Sequence, residues 1–124
     1  MRILLTRWFD RYARKEGLSA DRMIEAIDRA SRGLIDADLG HGLIKQRIAR
    51  AGKGRSGGYR VVIVYRMDDR AVFLFGFAKS EQADLSPREF AALRDAAADY
   101  LRMNDTELDV LIAEKRCTEL KDVP

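Results

Sequence analysis

The chain has 124 residues, and 47% of them are hydrophobic, enough to fill one core and too few residues for several. One cysteine, Cys117, excludes an intrachain disulfide and fits a reducing, cytoplasmic setting, and no apolar run is long enough to cross a membrane. Net charge is only +3, but residues 41–79 hold nine cations against two carboxylates while residues 80–124 are net acidic, so the middle third is the part that can attract a polyanion.

In chain order, residues 2–6 form a short apolar run that is either a strand or a lead-in; the segment lacks the long apolar core and cleavage motif of a signal peptide. A helix is expected from Thr6, with Leu5, Trp8, Phe9, Tyr12 and Ala13 on one face and Gly17 as its stop. Ser19 caps a second helix, whose stripe is Ala20, Met23, Ile24, Ile27, Ala30 and Leu34. Both stripes read as core, with Trp8 pinning the helices to a sheet. Residues 35–39 are a weak strand or a turn, and His41 lies in the Gly40–Gly42 bend. As the only histidine, a few residues before a cationic strand, His41 is a candidate for proton transfer.

The stretch 43–60, LIKQRIARAGKGRSGGYR, carries Lys45, Arg47, Arg50, Lys53, Arg55 and Arg60 and no acidic residue. In a strand over 43–50, Lys45 and Arg47 share one face, and Ile44 and Ile48 share the other. A glycine-rich loop over 51–58 would expose backbone N–H groups around Lys53 and Arg55. Strands over 59–67 and 71–79 follow, joined at Asp68-Asp69 as an antiparallel hairpin, with Lys79 at the exit. Helices are expected to cover one face of this sheet and to leave Lys45, Arg47, Arg60 and Lys79 on one concave surface. Ser86-Pro87-Arg88-Glu89 is a capping-box helix start. After Asn104-Asp105 the pattern restarts as a helix over 106–120. The whole reads as a single domain over 1–124 with a C-terminal helical extension at about 105–124.

CxxC, HExxH and Walker A motifs are all missing from the sequence, and one His, one Cys and scattered carboxylates make a metal site or cofactor unexpected. Glu81 and Asp84, after the last strand, give only a weak signal. A cationic cluster can still cleave RNA. The ribose 2′-OH attacks the adjacent phosphate, and fixed Lys and Arg side chains stabilise the charge that develops. DNA lacks the 2′-OH, so such a site selects RNA without reading a base. The plainer alternative is a solvated basic sheet edge, or one that only binds.

The segments RWFDRYARKEGLS, GLIDADLG, GLIKQRIARAGKGRSGGYRVVI and DRAVFLFGFAKSEQADLS resemble the HigB/RelE-type toxins of bacterial type II toxin–antitoxin systems, and the KxR strand followed by GKGRSGGYR resembles the HigB branch. The resemblance runs from about Thr6 to Leu101; residues after Met103 have no counterpart in it. It implies an α+β, RelE-like fold, with two N-terminal helices packed on a small, mostly antiparallel sheet; the C-terminal helices come from the capping and apolar pattern described above. It implies ribosome-dependent mRNA cleavage, with Lys45, Arg47, Arg60 and Lys79 as catalytic residues. Arg50, Lys53, Arg55 and Arg66, from their charge and position, are expected as contacts to RNA or the ribosome. The implied partners are mRNA, the ribosome and a cognate antitoxin of the helix-turn-helix, HigA-like kind. The RelE pattern also places an arginine next to the lysine equivalent to Lys79 and a tyrosine soon after. Here Ser80 and residues 85–86 take those places. This departure leaves open a ParE-like toxin that inhibits DNA gyrase, or a degenerate module that only binds antitoxin or nucleic acid.

Overall fold

The apolar run at the N-terminus is a strand, β1 (Arg2–Thr6), and it anchors both layers of helices. The computed structural model describes residues 1–50 and 54–120, with side chains throughout except at 54–56. Thr6 ends β1 and caps α1 (Arg7–Glu16), its hydroxyl accepting from the Phe9 N–H at 3.2 Å. Gly17, at φ 72°, closes α1 in the left-handed conformation that glycine tolerates best. Ser19 caps α2 (Ala20–Ser31). The strands β2 (Ala37–Gly40), β3 (Leu43–Arg50), β4 (Gly54–Arg66) and β5 (Arg70–Ala78) follow. Two capping boxes start α3 (Pro87–Arg102) at Ser86 and α4 (Asp105–Ala113) at Asn104. The last strand is β6 (Cys117–Leu120).

These elements form an α+β arrangement around one six-stranded sheet of order β2-β3-β4-β5-β1-β6. All pairings are antiparallel except β1 with β5. Side chains alternate across it. Ile3, Leu5, Ile44, Ile48, Val61, Ile63 and Phe73 pack with Phe9 and Ala13 of α1 and Met23, Ala26 and Ile27 of α2. Leu4, Leu43, Val62, Val64, Val72 and Leu74 pack with Leu93 and Ala97 of α3 and Leu108 and Leu111 of α4.

Helices thus cover both faces, not the one face expected. The reason lies in β1, β4 and β5, which are apolar on both sides, so the second side must also be buried. On that second side the apolar cover follows the row from Leu4 to Leu43. Lys45, Arg47 and Arg60 continue the same face beyond it.

Four local expectations are corrected. The α2 stripe stops at Ser31, and Leu34 is exposed. Trp8 touches the sheet through Phe75, 4.8 Å between ring centroids, yet remains 47% exposed. The helix expected over 106–120 ends at Ala113; Lys115 turns the chain at φ 61°, and Cys117–Leu120 pairs antiparallel with β1. A free edge beside β1 outweighs a helical pattern carried by few apolar residues. Last, the glycines at 54, 57 and 58, placed in a loop by the sequence, belong to β4. At Gly58 the β3 backbone comes so close that a Cβ would lie 2.2 Å from the Ile48 carbonyl oxygen. That glycine makes room between strands.

Candidate phosphate-binding site

The site grows out of strand register. Arg47 on β3 lies opposite Arg60 on β4, and Lys45 lies between Val62 on β4 and Ala37 on β2. Cross-strand partners point to the same face, so the three cations converge without help from any loop. With Asp36 and Ala37 they line a cavity of about 350 Å³.

Each cation is held. Lys45, only 17% exposed, donates from Nζ to Asp84 Oδ1 at 2.8 Å. Arg47 Nη2 donates to Asp36 Oδ1 at 3.0 Å. Arg60 Nη1 reaches the Tyr59 carbonyl at 3.5 Å. Burial, together with the neighbouring Arg47, lowers the Arg60 pKa, and Asp36 offsets part of this. An arginine so shifted is still protonated at neutral pH.

Two carboxylates serve these cations, and they differ. Burial raises the Asp36 pKa, but the hydrogen bonds from the Arg47 N–H, the Arg47 guanidinium and Arg29 outweigh it and leave the carboxyl below its ordinary value. Asp84 stands on the turn after β5 and is 66% exposed. Lys45 first, then the Leu85 N–H, pull its pKa down, with a smaller pull from Lys79. Lys79 itself donates to the Ala83 carbonyl at 3.1 Å and does not line the cavity; it joins the cluster through Asp84.

Residues 1–120 match the family model for the RelE toxin of the RelE / RelB toxin–antitoxin system. The chain belongs to the RelE toxin family. No curated protein matches it. The RelE match takes in α4 and β6, so the C-terminal segment, which had no counterpart in the sequence resemblance, is part of the family's pattern.

The other residues singled out in this RelE-family chain lie apart. His41 occupies an exposed turn at φ 57°, its ring 6.2 Å from that of Phe90 and outside the cavity. Arg50 belongs to the opposite side of the sheet, stacked 5.8 Å over Tyr59. It lines a separate cavity of about 460 Å³ with Lys15 and Arg22. Arg66 is six residues along β4 from Arg60, roughly 20 Å. It is occupied by Asp69 and the Leu101 carbonyl. Lys53 and the Arg55 side chain lie outside the described residues. Among the described residues, no cluster of three or more His, Cys, Asp or Glu could hold a metal, and no helix is long and apolar enough to cross a membrane.

Sequence reasoning missed Asp36 and its supports, Arg29 and Gln46. Arg29 had only one clue, a charge on the face of α2 that carries Met23, Ala26 and Ala30. Gln46 had a similar one, a polar residue between Ile44 and Ile48 on the buried side of β3.

Proposed function

We propose that this chain is a ribosome-dependent mRNA endoribonuclease of the HigB branch. The observation that supports it best is the convergence of Lys45, Arg47 and Arg60 in one cavity at the open end of a sheet face. In this reading the ribose 2′-oxygen attacks the adjacent phosphorus, and the bond to the 5′-oxygen breaks. The 2′-OH proton leaves to an acceptor, and the departing 5′-oxygen takes one up. The products are a 2′,3′-cyclic phosphate and a 5′-OH end. Arg47 and Arg60 hold the phosphate oxygens, where donors fixed in advance act on developing charge. Lys45 exchanges Asp84 for substrate, and Lys79 adds charge from the turn. The ribosome orders the mRNA across this shallow, cationic surface. Lys53, Arg55 and, from the other side of the sheet, Arg50 contact RNA phosphates. A cognate HigA-like antitoxin neutralises the toxin.

The test is purified ribosomes carrying a defined A-site codon, with mRNA 5′ ends mapped after addition of the protein. Cuts within the A-site codon support the reading. Intact mRNA, together with altered DNA supercoiling in cells expressing the protein, overturns it in favour of a gyrase poison.

A further inference from the structure

A carboxylate is an odd lining for a cavity meant to hold a phosphate, and Asp36 is the most firmly held group there. Its Oδ2 accepts from the Arg47 backbone N–H at 2.8 Å and from Arg29 Nη1 at 3.2 Å, while Oδ1 takes Arg47 Nη2 at 3.0 Å. Its own N–H donates to Gln46 Oε1 at 2.7 Å. Gln46 is fully buried, and its Nε2 donates to the carbonyls of Ala26 and Leu34 at 3.0 and 3.1 Å. Arg29 is 5% exposed and also binds Glu25 and the Arg47 carbonyl oxygen. Asp36 is thus tied to α2 and β3 before any substrate arrives.

Arg47 and Arg60 lie directly opposite one another on adjacent antiparallel strands, a placement that like charges resist. On the endoribonuclease reading both must face one phosphate. We propose that Asp36 is a positioning residue for cleavage: it orients the Arg47 guanidinium and offsets its repulsion of Arg60, so that both converge on the scissile phosphate. Arg29 and Gln46 hold Asp36 in turn. With three donors on its two oxygens, Asp36 is poorly suited to take the 2′-OH proton; its work is orientation. Asp84 contrasts with it. Exposed and carried on a turn, Asp84 can be exchanged for substrate, whereas Asp36 stays.

Asp36→Asn tests this. The change keeps the shape, removes the charge and turns an acceptor into a donor facing Arg47. Single-turnover cleavage on saturating ribosomes should fall by about 10²-fold, the scale set by roughly 1 Å of misplacement. Binding of an mRNA that carries 2′-deoxyribose at the cut position should stay the same or tighten, because one negative charge is gone. In an Arg47→Ala background, Asp36→Asn should cost nothing further, since the group it positions is absent. A purely structural role would weaken binding and cleavage together. If Asp36→Asn does not fold, Asp36→Glu, which keeps the charge and displaces it by one methylene, should show the same split. Asp36→Asn cleaving at the wild-type rate or faster would overturn the proposal, as would an equal loss in the Arg47→Ala background. Wild-type protein that cleaves no ribosome-bound mRNA would overturn the endoribonuclease reading itself, and the positioning role with it.

Discussion

At the scale of single residues, carboxylates paired with cations decide what acid does to this protein. Asp36 keeps its proton affinity low in the folded state through the Arg47 N–H and two guanidinium groups. A carboxyl depressed on folding contributes stability that is fully present above its unfolded value of about 3.9 and is lost as pH falls through the folded one. Asp84 and Asp69, lowered by Lys45 and by Arg70 and Arg66, act in the same direction. The stability advantage of wild type over Asp36→Asn should therefore shrink as pH drops below about 4. Urea unfolding from pH 3 to 7 would show it; a constant difference across that range would mean that folding leaves the Asp36 proton affinity unchanged. Lys45 and Arg47 were legible in the sequence because a period of two predicts a shared face, and Arg60 entered through the family resemblance. Asp36 was not, because its partners are 7 and 11 residues away, beyond any local pattern.

Among elements, two short strands carry much of the new information. Arg2 on β1 binds Glu119 of β6 at 2.9 Å, and Asp105 and Asp109 of α4 at 3.3 and 2.7 Å. A single guanidinium thus clips the acidic C-terminal segment to the sheet. Arg2→Ala should cost about 1–2 kcal/mol, since these pairs are partly exposed, and should speed amide exchange in Cys117–Leu120 before the rest of the sheet. Exchange unchanged in β6 would show that backbone pairing alone holds the strand. Gly58→Ala should cost about 1–3 kcal/mol through crowding of β3, and should slow cleavage by shifting Arg60 two residues on. β3 was legible from its alternation, and β4 and β5 from their apolar, Val- and Phe-rich runs joined at Asp68-Asp69. β6 was not, because four residues carry too little pattern, and the slot beside β1 exists only in the folded sheet.

For the whole molecule, the cationic middle of the sequence does not become one cationic face. Lys45, Arg47 and Arg60 converge on one side, while Arg50 turns to the other with Lys15 and Arg22, and Arg66 is spent on the far end of β4. Charge counted along the chain could locate the region but not divide it between two sides of a sheet. The division predicts separable effects on RNA. Arg50→Ala should weaken ribosome binding and lower its salt slope by roughly one unit, without slowing the bound complex. Titrations at several salt concentrations, together with saturating kinetics, separate the two. Slowed cleavage at saturation would place Arg50 in the reacting centre.

The central claim is that Lys45, Arg47 and Arg60 form a fixed cationic centre for RNA cleavage. Its most direct test is single-turnover cleavage of mRNA on saturating ribosome complexes, comparing wild type with Arg60→Ala and Lys53→Ala. Saturation removes binding from the comparison. Wild type should cut and leave 5′-OH ends, Arg60→Ala should be slower by about 10²–10³-fold, and Lys53→Ala should match wild type. Equal rates for wild type and Arg60→Ala, or a Lys53→Ala defect as large as that of Arg60→Ala, would contradict the account.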